Sequence, residues 1–485
     1  MYHVHRTVLS RKRTRPYGET SMTSTTTSIR VSAFPIANID ETYLSFAIDT
    51  SYMLGGWWWG DRHVRFNPTI GANRIDPADL SHAQLIRYAK ALGPSILRIG
   101  GTEADTVWYD IDHSRKKPNG CRLTLTKKRW EEILTFAEAI DARILFTLNA
   151  AKHVHTASLI QYTRNRTDRI AAWEFGNEVN AYPVTHIHRL RRLQYIRDLA
   201  VLRTTLNEHG DGKIAAFGSI IWPVIGEPFS YLKKPLSQTE QLLMNAAHPD
   251  IITWHYYPQQ STRCPMRTCR ASAQTLLSPK TFIRASHYAE QIHTWTQKYA
   301  HADVWLGETG PALCGGEPGL SQSFFSSLWW LIHLGEMAKH HQSCIIRQTL
   351  IGSDYGLIDD NTMQPNPDYW TSLLWKRLMG QEVLDVQIDG PEELRVYGHR
   401  NPKTGQRCFL LINTHPTQPF SVHLSEGTKT LYHLSNPNLL ENSLYLNNKV
   451  VQKFEDIKGL KMNEHEIHIG GYEAVFIQET SSPPN

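Results

Sequence analysis

Ile170-Ala-Ala-Trp-Glu-Phe-Gly-Asn-Glu178 opens as a buried strand and closes on an amide and an acid, Asn177 and Glu178. A short apolar run that ends in reactive polar groups is how a strand of a parallel barrel reads, because such barrels gather their chemistry at the carboxyl ends of their strands. Seven other runs share this texture. They are "YLSFAIDT" (43–50), "SILRIGG" (95–101), "RILFTLN" (143–149), "KIAAFGS" from Lys213, "IITWHYY" (251–257), "DVWLGE" (303–308) and "CIIRQTL" (344–350). Segments of helical period such as "KRWEEILTFAEAI" and "FFSSLWWLIHLGEMAKHH" lie between them. Eight alternations predict an α/β fold, a (β/α)8 TIM barrel over residues 43–380.

Beyond residue 380 the pattern changes to short period-two runs, "LRVYGHR", "RCFLLINTH", "FSVHLSE", "KTLYHLS" and "YEAVFIQE", punctuated by Gly, Pro and Asn. This predicts a C-terminal antiparallel β-sandwich domain over residues 381–480. "IRVSAF" has the same alternation, so residues 30–42 are expected to add a strand to that sandwich. Residues 1–29 are basic and rich in Ser and Thr, and read as a disordered tail. They lack the apolar centre of a secretory signal, and with no export signal legible the localisation stays open.

Composition narrows the function. Hydrophobic residues make up 41% of the 485 and charged residues 20%, which suits a packed globular chain. A net charge of +5, without a basic helix or zinc-finger spacing, argues against a nucleic-acid partner. No apolar run approaches the roughly 20 residues of a membrane span. The histidine clusters at 186–188, 340–341 and 465–468 match no usual zinc spacing, so no metal site is expected. Of the six cysteines only Cys264 and Cys269 are near neighbours, and two free thiols are the expectation there, a small disulfide between them the alternative.

Polar residues at the strand ends include Asp49, Thr102, Asn149, Asn177, Glu178, His255, Tyr257, Glu308, Arg347 and Gln348. Glu178 ends the fourth strand and Glu308 the seventh, and a closed barrel turns both into one cleft. Two acids in an aromatic-rich cleft suggest glycoside hydrolysis, one protonating the leaving oxygen while the other attacks or activates water. "GGWWWG" (55–60) is read equally as a sugar-stacking platform and as rim packing. Arg263, Arg267 and Arg270 in "QQSTRCPMRTCR" are expected to be solvated, with binding of outer sulfate or carboxylate groups as the alternative.

"WEFGNEV", "TWHYYP", "VWLGETGPALCGGEPGLSQSF", "PNPDYWTSLLWKRLMG" and "LRIGGTEADTVWYD" resemble, in order over about residues 30–480, the segments of heparanase and its microbial β-glucuronidase relatives, glycoside hydrolase family 79. The resemblance implies a barrel with a β-sandwich and hydrolysis of β-D-glucuronides with retention, exo- or endo-acting. It implies that Glu178 is the acid/base and Glu308 the nucleophile. It places Asp49, Thr102, Asn177, His255 and Tyr257 along the glucuronate subsite, with Tyr355 and the backbone of Cys314 and Gly315 gripping the sugar carboxylate. Val179 departs from the proline usual after the acid, and Cys314 stands where heparanase carries glycine. No cofactor is implied, since two carboxyl groups and a covalent intermediate suffice. The competing readings are a retaining barrel glycosidase for a neutral sugar, of xylosidase or arabinofuranosidase type, and a non-catalytic glycan-binding protein.

Overall fold

A computed structural model describes residues 26–479, apart from 61–71, 113–115, 153–155, 183–191, 210–211, 228–237, 247 and 425. Eight parallel strands close into a barrel: β1 (Leu44–Asp49), β2 (Ser95–Gly100), β3 (Ala142–Leu148), β4 (Ile170–Phe175), β5 (Ile214–Ile221), β6 (Ile251–Tyr256), β7 (Asp303–Thr309) and β8 (Cys344–Arg347). They pair in chain order, and β8 returns to β1 through Ile345 opposite Leu44. Both faces of these strands are buried, which accounts for near-continuous apolar runs in place of alternation. The helix Phe324–Lys339, between β7 and β8, is apolar almost all round because it lies between the barrel and the second domain. Tyr397 of that domain donates to Glu336 at 2.7 Å, and Arg395 pairs with the same carboxylate at 3.3 Å.

The second domain is an antiparallel sheet folded over its own core of Leu384, Val386, Leu411, Val422, Ile467 and Ile477, among others. Its strands include Glu382–Ile388, Leu394–Arg400, Arg407–Asn413, Phe420–His423 and Glu473–Glu479. The strand Thr26–Asn38 joins it, antiparallel to Glu382–Ile388 and, through Thr26–Ser28, parallel to Ser421–His423. The tail expected over 1–29 is thus corrected at its end: Thr26 to Ile29 are strand, since β-branched residues find a free sheet edge there. Residues 1–25, and the histidine pair at 186–188, lie outside the described residues. No helix among the described residues is long and apolar enough to cross a membrane.

The cysteines are placed differently from expectation. Cys264, after β6, is bonded to Cys314, after β7, while Cys269, the near neighbour of Cys264 in sequence, is a free thiol. The loop does turn back on itself, Gln260 N–H donating to Cys269 O at 2.8 Å and Ala271 N–H to Gln260 O at 3.0 Å, but Ser261 N–H also donates to Leu313 O at 3.1 Å, which lays Cys264 beside the next strand's loop and its cysteine.

Candidate active site

Glu178 leaves β4 with φ 53° and ψ 47°, a left-handed conformation uncommon for a side-chain-bearing residue. Its neighbours hold it there. Buried Asp105, in the turn after β2, accepts from the backbone N–H groups of Ala150 (3.0 Å) and Asn177 (3.3 Å) and from the Tyr182 hydroxyl (2.6 Å). On the other side Gly218 approaches so closely that a Cβ would lie 3.1 Å from the Glu178 backbone nitrogen. The turn is therefore pinned before the carboxyl group begins.

Glu308, on β7, has each oxygen claimed by a different donor. Arg98 Nη1 donates to Oε2 at 2.8 Å and the Tyr257 hydroxyl to Oε1 at 2.7 Å. Arg98, wholly buried on β2, also donates through Nε to Glu174 Oε2 and through Nη2 to Asn177 Oδ1, each at 2.9 Å. One guanidinium thus ties together three elements beneath the cleft. His255 Nδ1 faces both acids, 3.3 Å from Glu178 Oε1 and 3.9 Å from Glu308 Oε2. Burial, and then the charge of Arg98, push the His255 imidazole well below its usual range, so it faces them uncharged.

Oxygens of Glu178 and Glu308 lie within 4.8 Å of each other, together with His255 Nδ1. Oxygens so close suit the roughly 5–5.5 Å separation of the carboxyl groups in a retaining pair better than the 6.5–9.5 Å that leaves room for a water in inversion. The same three atoms have the spacing of a metal-ligand set, but the Arg98 guanidinium bonded to Glu308 supplies the positive charge there and disfavours a cation. Burial first, and then the charge of Glu308, push the Glu178 carboxyl up to about 8. Burial also pushes Asp49 up to about 7, where it accepts from Gln348 Nε2 at 3.3 Å and caps the turn after β1 through Ser51 N–H.

The remaining predicted positions divide. Tyr257 and Tyr355 are buried with their rings stacked, centroids 6.4 Å apart, and Trp58 packs edge-on against Tyr355 at 6.3 Å. Cys314 takes φ +66° and Gly315 φ +84°, so the cysteine adopts the angle for which glycine is usual. A Cβ at Gly315 would meet Trp59 at 2.3 Å, a true glycine requirement. Thr102 opens the turn after β2 and is exposed. Asn149 holds Val107 and Lys152, and Arg347 holds Asp368, so these two strand ends are structural.

The packing alternative for the tryptophan run holds for Trp58. The run forms a hairpin, Gly56–Trp59 against Ala72–Ile75, in which Trp58 is core and Trp57 is exposed. The expectation for Arg263 is corrected. It is buried and bonds Gly60 O (3.1 Å), Gly316 O (2.9 Å) and Asp354 Oδ2 (2.5 Å), binding the loops after β1, β7 and β8 to its own. A guanidinium has enough fixed donors to bridge three loops, and spends them here. Arg267 and Arg270 are exposed. Sequence reasoning missed Arg98, Glu174 and Asp105.

A (β/α)8 barrel with a sheet domain and two close carboxyl groups at the ends of β4 and β7 defines a glycoside hydrolase. The model of the glycosyl hydrolase family 79 N-terminal domain matches residues 26–335. The chain belongs to that family. Heparanase-like protein 1 of Arabidopsis thaliana is 30% identical over 422 residues, 81% of this chain and 74% of that protein. Baicalin-beta-D-glucuronidase of Scutellaria baicalensis is 25% identical over 93% of this chain and 92% of its own. A crystal structure of an arabinofuranosidase superposes with a TM-score of 0.67, covering 94% of this chain and all of its own, at 12% identity, a likeness of fold.

Proposed function

We propose that the chain hydrolyses β-D-glucuronides with retention, Glu308 acting as nucleophile and Glu178 as acid/base. The observation that carries this is a close pair in different surroundings: Glu308 held by Arg98 and Tyr257, Glu178 holding its proton up to about 8. In the first step a Glu308 oxygen bonds to the anomeric carbon as the glycosidic bond breaks, and Glu178 gives its proton to the departing oxygen. Ester formation removes the negative charge of Glu308. Glu178 then loses the second cause of its raised proton affinity and becomes ready to accept a proton. In the second step it takes that proton from water, whose oxygen attacks the anomeric carbon while the ester bond breaks.

The glucuronate reading rests on a second feature. Tyr355, whose ring stacks on Tyr257, and the backbone of Cys314 and Gly315 would serve as neutral donors to a ring carboxylate, which would cost several kcal/mol to bury without partners. The named activity of the Scutellaria relative supports the same substrate class. A panel of nitrophenyl glycosides tests it, with cleavage of the β-glucuronide expected. Cleavage of the xyloside or arabinofuranoside in its place would move the chain to the neutral-sugar glycosidases. Inactivity on all of them would favour glycan binding without catalysis. Product sizing on a glucuronate-containing polysaccharide then separates exo from endo action.

A further inference from the structure

Glu174 lies four residues before Glu178 on β4, wholly buried, and has no place in the mechanism above. Its Oε2 accepts from Thr147 Oγ1 at 2.5 Å and from Arg98 Nε at 2.9 Å. Its Oε1 is buried and has no protein hydrogen-bond partner among the described residues. An amide would serve Thr147 equally well, so hydrogen bonding alone does not call for an acid. What a carboxylate adds is charge, and the cation next to it is the one that holds Glu308.

We propose that Glu174 is the counter-ion that divides the charge of Arg98, positioning that guanidinium as a donor to Glu308 without letting its full positive charge act on the two reacting acids. Arg98 faces two carboxylates at 2.8 and 2.9 Å, on β7 and β4. With one of them removed, its whole field would fall on Glu308 and Glu178. The nucleophile's electron pair would be held more tightly, and the proton on Glu178 would leave more readily.

The other groups around this pair do not replace Glu174. Glu308 on β7 and Asp49 on β1 raise the proton affinity of Glu178, while Arg98 on β2 lowers it. His255 on β6 is neutral. Asp105, beyond β2, is engaged by Tyr182 and two backbone N–H groups and does not touch Arg98 through any described hydrogen bond. Tyr195 donates to the backbone of Phe175. Glu174 is the carboxylate beside Arg98 that takes no part in the reaction.

The inference rests on the roles given to Glu178 and Glu308, and its test separates the two. In the wild type, the basic limb of kcat/KM for an aryl glucuronide with a poor leaving group should disappear in Glu178→Ala. If the limb survives that change, the role assignment fails. In Glu174→Gln, nearly isosteric, the limb should move to lower pH by roughly one unit, and the first step on an activated leaving group should slow about tenfold. A lowered rate with an unmoved limb, or a limb moved upward, would make Glu174 merely structural and overturn the proposal. Should Glu174→Gln fail to fold, Glu174→Asp serves: its charge is kept but withdrawn from Arg98, so the limb should move the same way by less. An unmoved or raised limb there also overturns it.

Discussion

Tyr257 donates to the one oxygen of Glu308 that Arg98 leaves open. The carboxylate is thereby fixed in rotation as well as position, so that in the proposed first step one oxygen is aimed while the other keeps its ion pair. Tyr257→Phe removes a hydrogen bond to a charged group, worth about 1.5–3 kcal/mol. The kcat for an aryl glucuronide should fall roughly tenfold to a hundredfold, with the circular dichroism spectrum unchanged. A kcat within a factor of two of wild type would show that Arg98 alone suffices.

The two acids should fail differently. Glu308→Gln cannot form the glycosyl ester and should be inactive on every substrate. Glu178→Gln should still complete the first step on a dinitrophenyl glucuronide, whose leaving group needs little protonation, and accumulate the intermediate. Added azide should then release it as the glucuronyl azide, seen by mass spectrometry. Identical behaviour of the two variants with azide would reverse or cancel the assignment.

The pH dependence has a worked sign. Glu178 is pushed up to about 8, first by burial and then by Glu308, so the acid form persists below that pH and is lost above it. Activity on a substrate with a poor leaving group should therefore fall as pH rises through about 8. For a dinitrophenyl leaving group, the basic limb of the first step should flatten in stopped-flow measurements. A limb that is the same for both leaving groups would point to another ionisation.

Specificity should reside in the neutral donors. Tyr355→Phe should lower glucuronide kcat/KM by roughly tenfold to a hundredfold and leave the matching glucoside nearly unchanged, because only the former carries the ring carboxylate. Equal losses on both would make Tyr355 a packing residue of the Trp58 and Tyr257 cluster.

The disulfide should matter to stability. Cys264 and Cys314 are separated by 50 residues, and closing such a loop in the unfolded chain contributes about 4 kcal/mol in the chain-entropy account. Reduction, or Cys264→Ser combined with Cys314→Gly, should lower Tm measurably by calorimetry. An unchanged Tm under reductant, with two extra thiols titrated, would show that Arg263 already holds these loops unaided.

The strand-ending acids were legible because a barrel repeats one pattern eight times, and Glu178 and Glu308 fall where that pattern puts its reactive groups. Arg98 and Glu174 were not, because each is explained by the other across two strands. The available signal was a charge inside an apolar strand, "SILRIGG" and "AAWEF", which has to be paired if the strand is buried. The disulfide was misread for a related reason. Its partners are neighbours around the barrel, and separation along the chain does not measure that. Arg263 looked like a surface charge because sequence cannot tell a loop that crosses its neighbours from one that faces water.

The strand Thr26–Asn38 pairs with residues that follow the whole barrel, Val31 standing opposite Val386. The chain emerges from synthesis with this edge unmatched, and hundreds of residues must appear before its hydrogen bonds can close. Until then the strand needs shelter from other unmatched edges. Once closed, it clasps the start of the catalytic body to the sheet that follows it. A cut in the short stretch between Leu378 and Glu382 would leave the two pieces joined, so a nicked chain is expected to stay assembled and active where a truncated one would not.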